Sequence, residues 1–201
     1  VLRLVERVDV LVENFTAGTM TGLGLDYPVL QQRNPRLVYA SASGFGLIGP
    51  DKEVASLDMV AQARAGAMLS GGEEGWPPAV GIPNAGDRHT SVMMAYAVMT
   101  ALFYRERSGK GQEIHLSQLG ALVNMQGFWL MPILMKGQAM KRHTQAEAFS
   151  PFYNYYKCGD GRWIVLTGTG NWTWGPFCQA IERPDLENHP RFATEEARTL
   201  H

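Results

Sequence analysis

The sequence lacks the features that mark secreted, membrane-spanning and nucleic-acid-binding proteins. Its only two cysteines, Cys158 and Cys178, have neither metal-type spacing nor a paired framework, so we expect a reducing compartment. No N-terminal signal pattern and no apolar run long enough to cross a bilayer is visible. The 18 basic and 19 acidic residues give a net charge of -1, which argues against nucleic acid as a partner. We expect a cytoplasmic protein that does not bind membranes.

The composition of the chain is that of an ordinary globular protein. Its 201 residues are 45% hydrophobic and 18% charged, which suffices for one sizeable core or two small ones. The first residue, Val1, lies within a helical pattern over residues 1–8 that no capping residue precedes, and the chain stops at His201 without a closing element. We therefore expect a chain truncated at both ends relative to the natural protein.

The first quarter of the chain alternates between strand and helix patterns. Residues 9–14 form a short β-branched run that predicts a buried parallel strand. Residues 27–33 predict a helix, and residues 36–43 predict a second strand. This order predicts an α/β fold, a parallel Rossmann-like layer with helices. Ligands of such sheets bind beyond the carboxyl ends of the strands, where Asn14-Phe15 and Gly44-Phe45-Gly46 fall.

The remainder of the chain predicts further helices, one more strand and a second domain. Helical patterns cover residues 57–69, 90–107, 118–135 and 171–181, and residues 112–117 alternate as a strand. Two alternating runs flank Asp160-Gly161, a strong hairpin signal. We predict a large α/β domain over residues 1–136, a linker over 137–152 and a small α+β domain over 153–201.

The apolar helix pattern at residues 118–135 is rich in methionine and aromatic residues, among them Phe128, Trp129 and Met131. Such residues are more typical of a core or a subunit interface than of a cofactor site. We therefore expect another chain, or further segments of this one, to cover this surface.

Asp87 is the candidate catalytic residue. It follows Gly86 at the start of the longest helical pattern, where free backbone N–H groups and the positive end of the helix dipole favour a carboxylate. One interpretation is structural, because aspartate is a preferred residue at helix N-termini. The other is functional, since an accessible ionised carboxylate can act as a nucleophile or base.

Short motifs occur along nearly the whole chain, and their order and spacing are more specific than any one of them. They are Val10-Leu11-Val12-Glu13-Asn14-Phe15, Asn34-Pro35-Arg36-Leu37-Val38, Gly44-Phe45-Gly46 with Gly49-Pro50, Gly86-Asp87, Arg105-Glu106-Arg107 with Gly109-Lys110-Gly111-Gln112, and Asp160-Gly161 with Pro190-Arg191-Phe192. Together these motifs resemble the family III coenzyme A transferases, the formyl-CoA transferase and carnitine CoA-transferase group, to which α-methylacyl-CoA racemase is related. The resemblance runs from Val1 to about Ala193.

The resemblance implies transfer of CoA between an acyl-CoA and a carboxylic acid, through an aspartyl anhydride and an aspartyl-CoA thioester. Asp87 falls where formyl-CoA transferase-like members carry their nucleophile. The expected CoA-binding residues are Asn14, Phe15, Thr19 and Leu23. The expected substrate-binding residues are Asp58, Gly86 and Arg88, although Arg88 could equally face solvent. CoA or acyl-CoA is expected as a substrate, no metal is expected, and an interlocked homodimer is expected of the complete protein.

The chain also departs from the family pattern. Racemase relatives carry a histidine just before the Asp58 position, and Leu57 stands here, which cannot exchange a proton. Gly22 and Ala55 stand where formyl-CoA transferase has basic residues, so the resemblance leaves open how the CoA phosphates are bound. Residues 145–152 contain no glycine where formyl-CoA transferase has a glycine-rich loop. Two alternatives to a transferase stay open, namely a racemase-type relative, against which Leu57 argues, and a truncated, non-catalytic CoA-binding remnant.

Overall fold

A computed structural model describes residues 1–73, 75–138, 142, 144–145, 148, 150–168 and 170–201. The chain divides into two compact units. Unit 1 comprises Val1–Ser70 and Pro77–Lys141, and unit 2 comprises Gly71–Trp76 and Arg142–His201. Much of the predicted linker over residues 137–152 lies outside the described residues, so the predicted domain boundaries stay a prediction.

Unit 1 is built on a three-stranded parallel sheet in the order β1-β2-β3, so the predicted α/β layer is confirmed. In β1–β2 pairing Val10 lies opposite Val38, and in β2–β3 pairing Val38 lies opposite Gln112. The strands are β1 (Val10–Glu13), β2 (Val38–Ser43) and β3 (Gln112–Ser117), and the helices are α1 (Leu2–Val5), α2 (Thr19–Gly22), α3 (Tyr27–Arg33), α4 (Asp58–Arg64), α5 (Ala85–Ser108), α6 (Gln118–Met125) and α7 (Gly127–Lys136).

Two apolar clusters hold unit 1 together. The first joins α1, α3 and the sheet through Val5, Leu30, Leu37 and Tyr39, all nearly inaccessible to solvent. The second joins α4, α5 and α6 through small side chains, with Leu122 fully buried. Alanines predominate in the second cluster, namely Ala61, Ala65 and Ala85, so the three helices can approach one another closely.

The long helix α5 is tied to the sheet at its far end. The guanidinium of Arg105, in its last turn, is buried and donates to the Asp9 carboxylate at 2.9 Å and to the Arg36 carbonyl at 3.1 Å. Gly109 ends the helix in the left-handed region, with its N–H bonded to the Arg105 carbonyl. The direction of α5, and hence the place of its first turn, is thereby fixed against the starts of β1 and β2.

Of the predicted helices, three differ most from the sequence prediction. The helix α5 begins at Ala85 rather than near residue 90, because Asn84 adopts a left-handed conformation and a distant carboxylate accepts bonds from the first turn. The helix predicted over residues 57–69 ends at Arg64, since Gly66 has a φ of +74°. The helix predicted over 118–135 breaks at Gln126, whose buried side-chain amide donates to the Ala65 and Leu122 carbonyls.

Unit 2 contains the predicted hairpin, β4 (Tyr153–Lys157) paired antiparallel with β5 (Trp163–Thr167). Two helices follow, α8 (Trp174–Ala180) and α9 (Glu195–Leu200). The aromatic rings of Phe152, Trp174 and Phe177 pack edge to face and stacked. In the turn, Arg162 donates hydrogen bonds to the Asp160 carboxylate from its side chain and from its backbone N–H group. These bonds lower the pKa of the Asp160 carboxyl group.

Candidate active site

A cavity of about 720 Å³ lies at the carboxyl ends of β1 and β2, where the first turns of α4, α5 and α6 converge. This is the position in which open parallel sheets bind ligands. Its lining includes apolar residues of α5, and its polar residues come from five separate stretches of chain. The lining residues are Val12, Glu13, Asn14, Ala42, Ser43, Gly44, Ser56, Leu57, Asp58, Asp87, Thr90, Ser91, Met94, Ala95, Val98 and Gln118.

Asp87 lies in the first turn of α5 and lines this cavity. Asp87 is exposed to solvent, so its carboxylate is accessible. The hydroxyls of Thr90 and Ser91 donate to the Gly86 and Asp87 carbonyls within the helix. Asp87 itself does not cap the helix, because another carboxylate already accepts bonds from the backbone N–H groups of Gly86 and Asp87. The Asp87 side chain therefore points its charge at the cavity rather than at its own backbone.

That other carboxylate belongs to Asp58, the first residue of α4. Its Oδ1 accepts the backbone N–H groups of Gly86 at 2.8 Å and of Asp87 at 3.2 Å. Its Oδ2 accepts from the side-chain amide of Gln62 at 2.7 Å, and Gln62 is buried. The side chain of Asp58 thus satisfies two of the unpaired donors of the α5 N-terminus and opposes the helix dipole.

Gly86 is required for this arrangement. A Cβ at this position would come within 2.9 Å of Asp58 Oδ1 and 3.2 Å of Leu122 Cδ1. Glycine is needed here because it lets the Asp58 carboxylate approach the helix backbone closely, and not because the backbone has a positive φ. The predicted contact of Asp58 and Gly86 with substrate stays a prediction; their observed contacts position the turn that carries Asp87.

Gln118 is a site residue that the sequence analysis missed. It is the first residue of α6, and its side-chain amide nitrogen donates to Asp87 Oδ1. Its amide oxygen accepts the hydroxyl of Ser56 at 3.0 Å. These three residues come from distant parts of the sequence, so no local motif indicates that they meet. The only available signal was the position of Gln118 directly after a predicted strand of a parallel sheet.

The other predicted residues are divided between this cavity and its surroundings. Asn14 lines the cavity together with Asp58 and Asp87. Phe15 lines a neighbouring small cavity of about 80 Å³, and its backbone N–H is held by the Glu13 carboxylate at 2.8 Å. The remaining three, Thr19, Leu23 and Arg88, are exposed and line neither cavity.

No basic side chain is found among the described residues that line the main cavity. Gly22 and Ala55 are exposed, and neither supplies a side chain that could hold a phosphate. No group of three or more His, Cys, Asp or Glu side chains suited to a metal ion occurs in the described part of the chain. Within that same part, no helix is long and apolar enough to span a membrane.

The fold and the cavity define an α/β protein with a carboxylate-containing cleft at the carboxyl ends of a parallel sheet. The sequence model of CoA-transferase family III matches residues 1–201. The chain therefore belongs to CoA-transferase family III, as its motifs predicted.

Curated relatives from several organisms are similar to the chain. A succinyl-CoA:mesaconate CoA-transferase of Haloarcula hispanica is 34% identical over 189 residues, which are 92% of this chain and 48% of that protein. An acetyl-CoA:oxalate CoA-transferase of Acetobacter aceti is 33% identical over 192 residues, 95% of this chain and 49% of that protein. The chain thus spans about half the length of the curated relatives it matches.

Solved structures show the same fold. A CAIB/BAIF family protein from Brucella suis superimposes with a TM-score of 0.82 at 32% identity, over 99% of this chain and 52% of that one. Rv3272 from Mycobacterium tuberculosis gives a TM-score of 0.87 at 30% identity, over 100% of this chain and 52% of that one. The mixed α/β architecture predicted from the sequence agrees with these structures.

Proposed function

We propose that the whole protein containing this chain transfers CoA between an acyl-CoA and a small carboxylic acid, with Asp87 as the nucleophile. The observation that carries the proposal is the exposed Asp87 carboxylate facing a cavity of about 720 Å³ at the ends of the strands. Similar proteins are named as transferring CoA to mesaconate and oxalate. The acids that this protein accepts belong, in our proposal, to the same class of small carboxylic acids.

The first half-reaction exchanges the acyl group for CoA on the enzyme. One oxygen of Asp87 attacks the thioester carbonyl carbon; the carbon–sulfur bond breaks, and CoA leaves as a thiolate. The product is a mixed anhydride between Asp87 and the acyl group. The thiolate then attacks Cγ of Asp87, the bond from Cγ to the bridging oxygen breaks, and the donor acid leaves with that oxygen. Asp87 is now a CoA thioester.

The second half-reaction runs the same steps in reverse with the acceptor. An oxygen of the acceptor carboxylate attacks Cγ, and the thiolate leaves again. The thiolate attacks the acceptor's carbonyl carbon and breaks its bond to the bridging oxygen. The new acyl-CoA departs, and Asp87 recovers a carboxylate that contains one oxygen from the acceptor. Each step needs a closed site, because water would hydrolyse the anhydride.

The surroundings of Asp87 suit this chemistry. Asp58 fixes the first turn of α5 through two backbone bonds, so the nucleophile is carried by a rigid element rather than by a loop. We propose that Asn14, Phe15, Thr19 and Leu23 contribute to CoA binding. Because Gly22 and Ala55 replace basic residues, backbone N–H groups or segments outside this chain would have to hold the CoA phosphates.

Two competing functions make different demands on the site. A racemase needs a second proton-exchanging group opposite the carboxylate, and Leu57, which lines the cavity beside Asp58, cannot serve. A non-catalytic remnant needs CoA affinity alone and would not require an accessible carboxylate. The arrangement around Asp87 therefore favours the transferase over both alternatives.

We also propose that the whole protein is a cytoplasmic homodimer. Helix α7 contributes no buried residue, and its Phe128, Leu134 and Met135 are 95%, 77% and 73% exposed. We expect an apolar surface of this kind to be covered in the assembled protein. Sedimentation of the whole protein as a dimer would agree with this, and a monomer without self-association would contradict it.

The test of the chemistry is Asp87→Asn in the whole protein, with Asp51→Asn as the matched control. Asp51 is a carboxylate outside the cavity that pairs with Arg64. We expect Asp87→Asn to abolish CoA transfer with the fold retained, and the control to keep wild-type activity. Hydroxylamine added with acyl-CoA should modify Asp87 only in the active protein. Transfer by the Asn variant would refute the assignment, whereas α-proton exchange without transfer would favour a racemase.

A further inference from the structure

Gln118 is held in a single orientation next to the candidate nucleophile. Its Nε2 donates to Asp87 Oδ1, and its Oε1 accepts from Ser56 Oγ at 3.0 Å. A reversed amide would place its oxygen against the carboxylate oxygen, where two acceptors repel. The Asp87 carboxylate therefore requires an N–H group to face it. The Ser56 hydroxyl, whose one proton is shared between the Gln118 amide oxygen at 3.0 Å and the Leu57 carbonyl at 3.2 Å, supports that orientation.

The elements that carry these groups are fixed by backbone contacts. Ser117 caps α6 by accepting the Gly120 N–H at 3.0 Å, and the Leu119 N–H bonds the Gly44 carbonyl at 3.0 Å. A Cβ on Gly44 would overlap with the side chain of Ser56. Glycine at this position therefore lets Ser56 approach Gln118, so the donor is positioned before any substrate binds.

The two oxygens of Asp87 have different fates in the proposed reaction. The attacking oxygen becomes the bridging atom of the anhydride and leaves with the donor acid. The other oxygen stays bonded to Cγ throughout. Among the described residues, Gln118 is the side chain that donates to the carboxylate of Asp87, and it does so at Oδ1. Oδ2 is therefore the oxygen that is free to attack.

The charge on Oδ1 changes during the reaction. In the free carboxylate it shares one negative charge with Oδ2. In the anhydride and in the thioester it is a neutral carbonyl oxygen. When thiolate or acceptor carboxylate attacks Cγ, the tetrahedral intermediate concentrates a full negative charge on Oδ1. A hydrogen-bond donor at Oδ1 stabilises this intermediate more than any other state of the reaction, as in an oxyanion hole.

We propose that Gln118 is a catalytic residue that stabilises the oxyanion on Oδ1 during the two attacks at Cγ of Asp87, and that Ser56 positions its amide. This role rests on the proposed function of Asp87. It assigns different steps to different groups: Gln118 assists the steps at Cγ, and it gives no such assistance to the initial attack on the substrate thioester, in which Oδ1 loses charge.

The test compares Gln118→Met, Ser56→Ala and Gln32→Met in the whole protein. Methionine keeps the approximate shape of glutamine but removes the donor, and Gln32 is an exposed residue of α3 outside the site. Each protein is mixed with acetyl-CoA alone, quenched in acid and weighed by mass spectrometry, which separates a CoA adduct from an acyl adduct. KM and kcat for acetyl-CoA are measured in parallel with succinate as acceptor.

Loss of one oxyanion donor costs about 100-fold or more in rate. We therefore expect Gln118→Met to form the CoA adduct about 100-fold more slowly, with a larger share of acyl adduct and little change in KM. Ser56→Ala should slow the same step less, and Gln32→Met should match the wild type. A merely structural role for Gln118 would not change which adduct accumulates.

The outcomes separate this inference from the proposed function. Wild-type rates of CoA-adduct formation in Gln118→Met would overturn the role of Gln118 while leaving Asp87 as nucleophile. Absence of both adducts from the wild type, or adducts that persist in Asp87→Asn, would overturn the proposed function and this inference with it. If Gln118→Met fails to fold, an unaltered adduct rate in a folded Ser56→Ala protein would count against the inference.

Discussion

Removal of the Asp58 carboxylate should release the first turn of α5. The change Asp58→Ala deletes the acceptor of the Gly86 and Asp87 N–H groups, at 2.8 and 3.2 Å, and one partner of buried Gln62. Loss of a helix cap costs about 0.5–2 kcal/mol, and loss of a negative charge at a helix N-terminus costs about 0.3–1 kcal/mol more. We therefore expect a loss of about 1–3 kcal/mol in the free energy of unfolding.

The most direct assay of this local effect is hydrogen exchange at the amides of Gly86 and Asp87. Since each 1.4 kcal/mol is a factor of ten, exchange there should become about 10- to 100-fold faster. Asp51→Ala is the matched control, because it removes a carboxylate that pairs with the exposed Arg64 and should cost no more than about 1 kcal/mol. Asp58→Asn retains an oxygen acceptor without the charge and should fall between them.

Wild-type exchange rates at these two amides in Asp58→Ala, or a loss of stability no larger than that of Asp51→Ala, would refute this prediction. A second consequence links stability to function. If the first turn of α5 frays, Asp87 is displaced from the Gln118 amide, so transfer activity should fall in Asp58→Ala even at temperatures where the protein remains folded.

Two further predictions concern the sheet. Gly111→Ala should destabilise the protein by about 1–3 kcal/mol, because a Cβ there would overlap with the Leu37 carbonyl. Gly159→Ala is the control, since a Cβ at that position meets open space. Equal unfolding midpoints of the two variants would contradict this prediction. Burial, followed by nearby Glu13 and Glu113, raises the pKa of the Tyr39 phenol to about 12, against about 10 when unfolded. The fold favours the neutral phenol, so this stabilisation is complete below about pH 10 and is lost as the pH rises towards 12. Tyr39→Phe should show a smaller alkaline loss in denaturant unfolding, and parallel pH profiles for the two proteins would refute the assignment.

Elements whose signals are local were predicted well from the sequence. The helix Tyr27–Arg33 and the strand Gln112–Ser117 have the predicted bounds, because Asn34-Pro35 ends the helix and Gly111 precedes the strand. The parallel sheet also followed from the order of its strands. The break at Gln126 did not, since the Gln126 side chain bonds the carbonyl of Ala65, the residue that follows α4.

The candidate site was predicted in part. Asp87 stood out because a Gly-Asp pair precedes a long apolar-periodic run. The bonds of Asp58 to the first turn of α5 and of Gln118 to Asp87 span 28 to 31 positions. Such contacts depend on how three helix N-termini converge at the sheet, and no spacing rule in a single sequence encodes that convergence.

The central claim is that Asp87 becomes covalently bonded to both substrates, and isotope transfer tests it directly. The whole protein is given one turnover with acyl-CoA and an acceptor acid whose carboxylate carries heavy oxygen (18O). Because the acceptor's attacking oxygen remains on Asp87 when the new acyl-CoA leaves, the peptide containing Asp87 should gain a single heavy oxygen. No gain should occur without acyl-CoA or in Asp87→Asn. Transfer of CoA with no label in the Asp87 peptide, or with the label on another carboxylate, would contradict the account.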